Sequence, residues 1–427
     1  MNTPYFLIRK NLLAENIDGF RRALDHLWPN SRIAYSVKTN ALPWILSWMK
    51  DHGVDAEVVS DEEYELAQLC GFPETRIVFN GPVKGRERLL RAVSAGSVVN
   101  LDSAADLEAL TATESFTAEP RSRAADSRLS TAGLQPGAGD SYFQAPDQVS
   151  AAGVLGLRLN MSPDLFDPAD VGYQEDGFRF GYSDETGAFA AALEQLKGVT
   201  DVRTLGLHIH VNSVTRSPRV YAAAAARAAE IIQKYRLSPA FVDIGGGFFG
   251  GVPGKTTPEE YVSVIREALL PAVDPEKTAL ILEPGSAAVG SAVELHTTVL
   301  DVKDTARGRI VTTDGSRIHI YPLWLKKSNL LTSSAALPPH PRQVVCGYTC
   351  MDHDRLMVLE NQPELKVGDQ IVYHRVGNYT VTFGGPFIRP FPEVYAETAD
   401  GEIRLVRKRM TMREYFEMET DFVRESR

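Results

Sequence analysis

Between about residues 32 and 290 the chain alternates short apolar runs with longer amphipathic stretches, and this alternation constrains its fold more than any other feature. Runs rich in β-branched residues read as strands, and stretches whose apolar residues recur every three to four positions read as helices. Eight strands are predicted: Arg32–Lys38, Asp55–Ser60, Arg76–Gly81, Ser97–Asp102, Val154–Asn160, Val202–Val211, Phe241–Gly245 and Thr278–Glu283. Helical patterns lie between most of them, for example Val220–Lys234 with its run of alanines. Eight βα units in ~250 residues is the arithmetic of a closed (β/α)₈ barrel. An open, doubly wound α/β sheet shares the alternation; the count of eight favours the barrel.

Beyond residue 290 the pattern changes. Val293–Lys303, Arg309–Thr313, Arg317–Tyr321, Arg342–Tyr348 and Gln370–Arg375 read as strands joined by turns such as Thr313-Asp314-Gly315-Ser316, and a long helical pattern returns only at Met410–Arg424. The expected plan is a barrel over 1–290 and a mostly antiparallel β domain over 291–427. Met1–Asn16 carries charges inside its apolar run and reads as a strand then a helix, not a signal peptide. Residues 113–152 are rich in Ala, Ser, Thr, Gly, Pro and Asp and can bury little, so they read as a flexible insertion. The insertion follows the helix after strand four. That puts it on the N-terminal face of a barrel, away from the chemistry, as a tolerated loop rather than a substrate lid.

Charge and cysteine content narrow the function. With 45 basic and 55 acidic residues the net charge is −10, which argues against a broad nucleic-acid face. A small anion held by local backbone donors stays possible. Cys70, Cys346 and Cys350 are too few for a disulfide framework, and the last two lack a second Cys or His pair for zinc, so no metal is expected. No apolar run reaches membrane-spanning length. A cytoplasmic enzyme acting on a small molecule is the expectation.

Barrel enzymes gather their chemistry at the C-terminal strand ends. Here those ends carry Lys38, Glu57, Arg158, His208 and His210, the run Gly245-Gly246-Gly247, and Glu283. A lysine against apolar walls has a depressed pKa and becomes a nucleophile; a lysine at a strand end can also simply reach solvent. A triple glycine lets backbone N–H groups close on a phosphate, or makes a tight turn with no ligand. It is not the spaced dinucleotide fingerprint, so NAD is disfavoured. Glu283 suits a protonated ring nitrogen or a rim salt bridge. His210 can press on a flat cofactor, with His208 on the same side of the strand, or serve as a core histidine.

Together these motifs resemble the fold-type III pyridoxal-phosphate (PLP) decarboxylases, the diaminopimelate, ornithine and arginine decarboxylase group. Tyr35-Ser36-Val37-Lys38-Thr39-Asn40 looks like their lysine motif. His208-Ile209-His210-Val211-Asn212-Ser213 is similar to their His-x-His-x-Gly-Ser segment, and Asp243-Ile244-Gly245-Gly246-Gly247-Phe248 to their glycine-rich phosphate motif. Glu283-Pro284-Gly285 resembles the start of Glu-Pro-Gly-Arg, Gly347-Tyr348-Thr349-Cys350 their Gly-Pro-x-Cys, and Gly377-Asn378-Tyr379-Thr380 their Gly-Ala-Tyr. The resemblance implies a homodimer with active sites shared between the barrel of one subunit and the β domain of the other. It implies PLP on Lys38 as a Schiff base, Glu283 at the pyridine nitrogen and His210 stacked on the ring. Ser213, Gly245, Gly246, Gly247, Gly285 and Tyr379 would hold the cofactor, and Cys350 of the partner would protonate the decarboxylated carbon. Glu57 and Glu63 match acidic positions near the lysine.

The chain departs from the pattern as a divergent member. Asn212 replaces a glycine, Ser286 an arginine and Tyr348 a proline, while Met351 stands where an acid contacts the substrate's distal end. A thioether cannot neutralise an ammonium, although Asp352 or Asp354 could take over. Met351 and Asp354 are thus the candidate substrate-contacting residues. The expected reaction is decarboxylation of an amino acid, of a modified or carrier-protein-linked kind in specialised metabolism. The alternatives are a racemase or epimerase on the same scaffold, with Tyr348 as second base, and a non-catalytic PLP-binding protein.

Overall fold

The structure, a computed structural model, describes residues 1–112, 154–173, 175–320, 330–398 and 400–418. The predicted 113–152 insertion lies outside the described residues.

The first strand, β1 (Tyr5–Ile8), leads into the helix Lys10–Leu27. Eight strands follow, β2 (Ser31–Ser36), β3 (Asp55–Val58), β4 (Ile77–Phe79), β5 (Val98–Leu101), β6 (Val154–Arg158), β7 (Gly206–His208), β8 (Phe241–Asp243) and β9 (Ala279–Leu282). They close into one barrel in sequence order, every pair parallel, β2 completing the ring against β9. The observed strands are shorter than the predicted ranges, and two of the differences bear on the site. β2 stops at Ser36, and Lys38 lies in a single 3₁₀ turn, Val37–Thr39. The stretch read as one strand from Val202 splits into a 3₁₀ turn, Val202–Thr204, and the three-residue β7.

Alternation along each strand builds the barrel in layers, because residues i and i+2 share a face. Ala34, Val78, Val98, Phe241 and Ile281 form a small apolar cluster on the barrel floor. Gly156 and Gly206 complete it by omission: a Cβ on either would lie 2.7 Å and 2.1 Å from the Phe241 ring, which fills their space. Two positions further along the same strands stand Ser36, Asn80, Asn100, Arg158, His208, Asp243 and Glu283, with Glu57 from β3. All eight are buried. The polar layer therefore rests directly on the apolar one.

β1 does not join the barrel. It pairs with β10 (Val293–Thr305) and with β16 (Glu393–Glu397). The sheet so nucleated also holds β11 (Gly308–Thr313), β12 (Leu330–Ser333), β13 (Pro339–Cys346), β14 (Arg355–Pro363), β15 (Gln370–His374) and β17 (Ile403–Arg407). Its pairings are antiparallel except β1 with β16 and β11 with β13. The predicted strand Arg317–Tyr321 is instead a helical turn over Arg317–Ile320; Tyr321 lies outside the described residues. The buried Asp354 carboxylate accepts from the Arg317 N–H at 2.8 Å, which caps that turn. The C-terminal helix is described over Met412–Met418. No helix among the described residues is long and apolar enough to cross a membrane.

Candidate active site

The 3₁₀ turn after β2 lifts Lys38 off the strand, and its Nζ turns back onto the polar layer. It donates to Glu57 Oε2 at 2.6 Å and to Ser36 Oγ at 2.7 Å. The lysine side chain keeps 38% of its surface while Glu57 keeps 1%, so the ammonium stands at the mouth and the carboxylate beneath it. The sequence led us to expect a depressed lysine pKa. Burial does push that way, but Glu57 and then Glu283 outweigh it, and Lys38 sits above its ordinary value. Burial also opposes ionisation of Glu57, but the lysine, Ser36 and Asn80 win and hold its carboxyl below the usual range. Lys38 and Glu57 therefore form a charged pair.

From Glu57 the hydrogen bonds run across the barrel. Asn80 Nδ2 donates to Glu57 Oε1 at 3.1 Å and to Glu283 Oε1 at 2.5 Å, and Asn80 Oδ1 accepts from Asn100 Nδ2 at 2.8 Å. Asn100 Nδ2 also donates to Asp243 Oδ2 at 3.2 Å. Burial, aided by Asp243 and Glu57, raises the Glu283 carboxyl well above the ordinary range. Burial likewise lifts Asp243, to about 7. His208 is buried with neither ring nitrogen partnered among the described residues. Burial keeps it neutral, with Arg158 and His210 adding to the effect.

The glycine run joins strand ends at close range. Gly245 and Gly247 have φ of 69° and 92°, the left-handed region. A Cβ on Gly245 would lie 2.5 Å from His210 Nδ1, and one on Gly246 2.3 Å from the Glu283 carbonyl oxygen. Two of the three N–H groups are used internally: Gly245 donates to Asp243 Oδ1 at 2.9 Å and Gly246 to His210 Nδ1 at 3.2 Å. That second bond fixes the His210 ring, whose pKa burial and then Arg158 and Lys38 lower to about 3. Gly285 packs on the lysine turn, where a Cβ would meet Thr39 Oγ1 at 2.1 Å. Ser213 Oγ accepts from Arg216 N at 2.8 Å and donates to the Asp170 carbonyl at 3.3 Å.

Tyr379 is brought to the same place from the second sheet. Its N–H donates to the Thr39 carbonyl at 2.8 Å, and Asn40 Nδ2 donates to the Gly377 carbonyl at 3.2 Å. Cys350 and Met351 lie apart from this hydrogen-bonded group, in the loop between β13 and β14, Cys350 exposed and Met351 half-buried. Asp354 in that loop is buried. Its carboxylate accepts from Ser316 Oγ at 3.0 Å, Arg317 N at 2.8 Å and Thr349 Oγ1 at 2.6 Å. Those oxygens hold the loop's own turn. Glu63 caps its own helix, accepting from Val59 N at 2.9 Å. Sequence reasoning missed Asn80 and Asn100; the available signal was that each follows a floor residue, Val78 or Val98, by two positions.

The chain matches the family model described as pyridoxal-dependent decarboxylase, pyridoxal binding domain, over residues 13–119 and 157–290. It is similar to the diaminopimelate decarboxylase of Archaeoglobus fulgidus, 26% identical over 88% of this chain and 83% of that one. The Bacillus subtilis diaminopimelate decarboxylase is 26% identical over 98% and 92%. Among solved structures, a diaminopimelate decarboxylase from M. jannaschii superposes with a TM-score of 0.79 at 20% identity, covering 99% of this chain and 92% of that one. An arginine decarboxylase of Paramecium bursaria Chlorella virus gives 0.71 at 20% identity, covering 93% and 96%.

Proposed function

The chain belongs to the pyridoxal-dependent decarboxylases, and on that footing we propose that Lys38 carries the cofactor, with Glu283 facing its ring nitrogen and His210 against its ring. The protein is a PLP-dependent amino-acid decarboxylase. Its residues suit the cofactor. Glu283 is a buried carboxyl with no cation bonded to it among the described residues, which a protonated ring nitrogen would match. The left-handed glycines open the backbone beside His210. Ser213, Gly245 to Gly247, Gly285 and Tyr379 are the groups proposed to hold the phosphate end. Pyridoxal phosphate, when bound, supplies the sink for the electron pair left as carbon dioxide departs.

This chain's own groups prepare that chemistry. Glu57 Oε2, 2.6 Å from Lys38 Nζ, orients the amine and favours its protonated form. His210, kept neutral by burial, offers a flat uncharged face. Cys350, from a second subunit, is the proposed proton donor to the product carbon, which requires a homodimer. The observation that carries the proposal is the unbroken chain Lys38–Glu57–Asn80–Glu283, which ties an amine to a ring-nitrogen partner through one carboxamide.

The substrate is proposed to lack a free distal ammonium. Met351 offers no charge there, and the Asp354 oxygens are already engaged by Ser316, Arg317 and Thr349. A modified amino acid, or one linked to a carrier protein, meets this condition. Carbon dioxide release should be compared between free lysine, ornithine, arginine and diaminopimelate and their distally acylated forms. Turnover of the acylated forms is expected, and brisk turnover of the free dibasic set would refute the substrate assignment. Tyr348 does not favour a racemase, because its hydroxyl donates to the Phe387 carbonyl at 3.1 Å and the Arg389 guanidinium lies 4.5 Å from its ring centre.

A further inference from the structure

Three cations, the buried Arg158 and Lys84 and the half-buried Lys38, each have a carboxylate of their own. Lys38 pairs with Glu57 at 2.6 Å, Arg158 with Asp102 at 2.6 Å and Lys84 with Asp106 at 2.9 Å. His208 and His210, on and after β7, are both neutral. Two carboxyls remain, Asp243 at the end of β8 and Glu283 after β9, 0% and 3% exposed, with oxygens within 4.8 Å of each other. Two buried carboxyls this close do not both ionise, so one of them holds a proton. Asp243 receives two donors that favour the anion, the Gly245 N–H and an Asn100 amide hydrogen, against the single Asn80 amide on Glu283, so the proton lies on Glu283. The amide orientations follow, since Asn80 Nδ2 must face two carboxyl groups and its Oδ1 must face Asn100. The pair then holds one proton and one negative charge, and neither carboxyl is hydrogen-bonded to a cation among the described residues.

We propose that Asp243 is a positioning residue, the fixed negative charge that keeps a proton at Glu283 and so makes the site select a ligand with a basic ring nitrogen. The proposal rests on the reading that Glu283 faces that nitrogen. Asp243 itself bonds Asn100 and Gly245, lies beside Glu283 and acts through it.

Binding of pyridoxal phosphate to the full-length protein is to be compared with binding of an analogue whose ring nitrogen is replaced by C–H. The wild-type protein should prefer the nitrogen ring. Asp243→Asn should cut that preference about tenfold or more, as loss of one nearby buried charge implies, with affinity for the carbon ring little changed. If Asp243→Asn keeps the full preference while Glu283→Gln abolishes it, the proposal is wrong. If Glu283→Gln also keeps it, the placement of Glu283 is wrong. Should Asp243→Asn fail to fold, infrared spectroscopy of the unsubstituted protein decides. A carboxylic-acid C=O band at neutral pH, missing in Glu283→Gln, is expected, and lack of any such band overturns the proposal.

Discussion

Glu57→Gln removes the carboxylate beneath Lys38 while keeping its shape, and the effect on the amine can be worked from the geometry. Two unit charges 2.6 Å apart attract by about 6 kcal/mol at an effective dielectric of about 20. Much of this is lost again. Solvent reaches the lysine, whose side chain is 38% exposed, and Glu57 has been fully desolvated. What remains in favour of the ammonium is about 1–3 kcal/mol. Because ~1.4 kcal/mol is tenfold, the free-amine fraction of Lys38 at neutral pH should rise about tenfold or more in the variant. Pulse labelling with an amine-selective reagent, read by peptide mapping, measures that fraction directly. Exposed Lys277 serves as internal reference, its side chain being 81% accessible. The gain over wild type should shrink as pH rises and both lysines lose their protons. The glutamine amide must meet a donor from Ser36 or Asn80, so a stability loss of about 1 kcal/mol is expected alongside. Unchanged or slower labelling of Lys38, in a variant that unfolds as a single cooperative unit, would refute the reasoning.

Gly206→Ala drives a Cβ to 2.1 Å from the Phe241 ring; it should cost about 1–3 kcal/mol, seen as a lower Tm, with the absorption of bound cofactor in the layer above unchanged. His210 has its pKa lowered from 6.5 to about 3, so the unfolded chain binds the proton first and the stability present above pH 6.5 is lost as pH falls towards 3. His210→Gln should therefore lose about 1–2 kcal/mol less than wild type between pH 8 and pH 5 in urea unfolding. Asp243, raised to about 7, acts in the opposite sense but is common to both proteins and cancels in the comparison. Asp354→Asn should lower stability by about 1–3 kcal/mol by weakening three hydrogen bonds; a change in KM with unaltered unfolding would instead mark a substrate contact.

What the sequence made legible was local. Most of the eight barrel strands are short apolar runs, and the polar end residue stands beside the run that places it. Lys38, His210, the glycine run and Glu283 could therefore be found without a structure. What stayed hidden depends on partners distant in sequence. Arg317–Ile320 alternates like a strand, yet the Asp354 carboxylate, 37 residues on, caps it into a helical turn. β14 and β17 carry charged or polar residues at many positions, and only their partners β13 and β16 make them strands. β1 was readable as a strand, but its sheet lies almost 300 residues downstream, as the Tyr5 to His296 register shows. The sign of the Lys38 shift was missed for the same reason. Its strand suggested apolar walls, whereas Glu57 reaches it from the next strand of the barrel.

Borohydride reduction of the PLP-loaded protein followed by peptide mapping asks which amine holds the aldehyde. Yellow colour should be lost on reduction and the pyridoxyl group recovered on the peptide containing Lys38. Recovery on Lys84, whose side chain is buried beside Asp106, or on any other lysine would contradict the account.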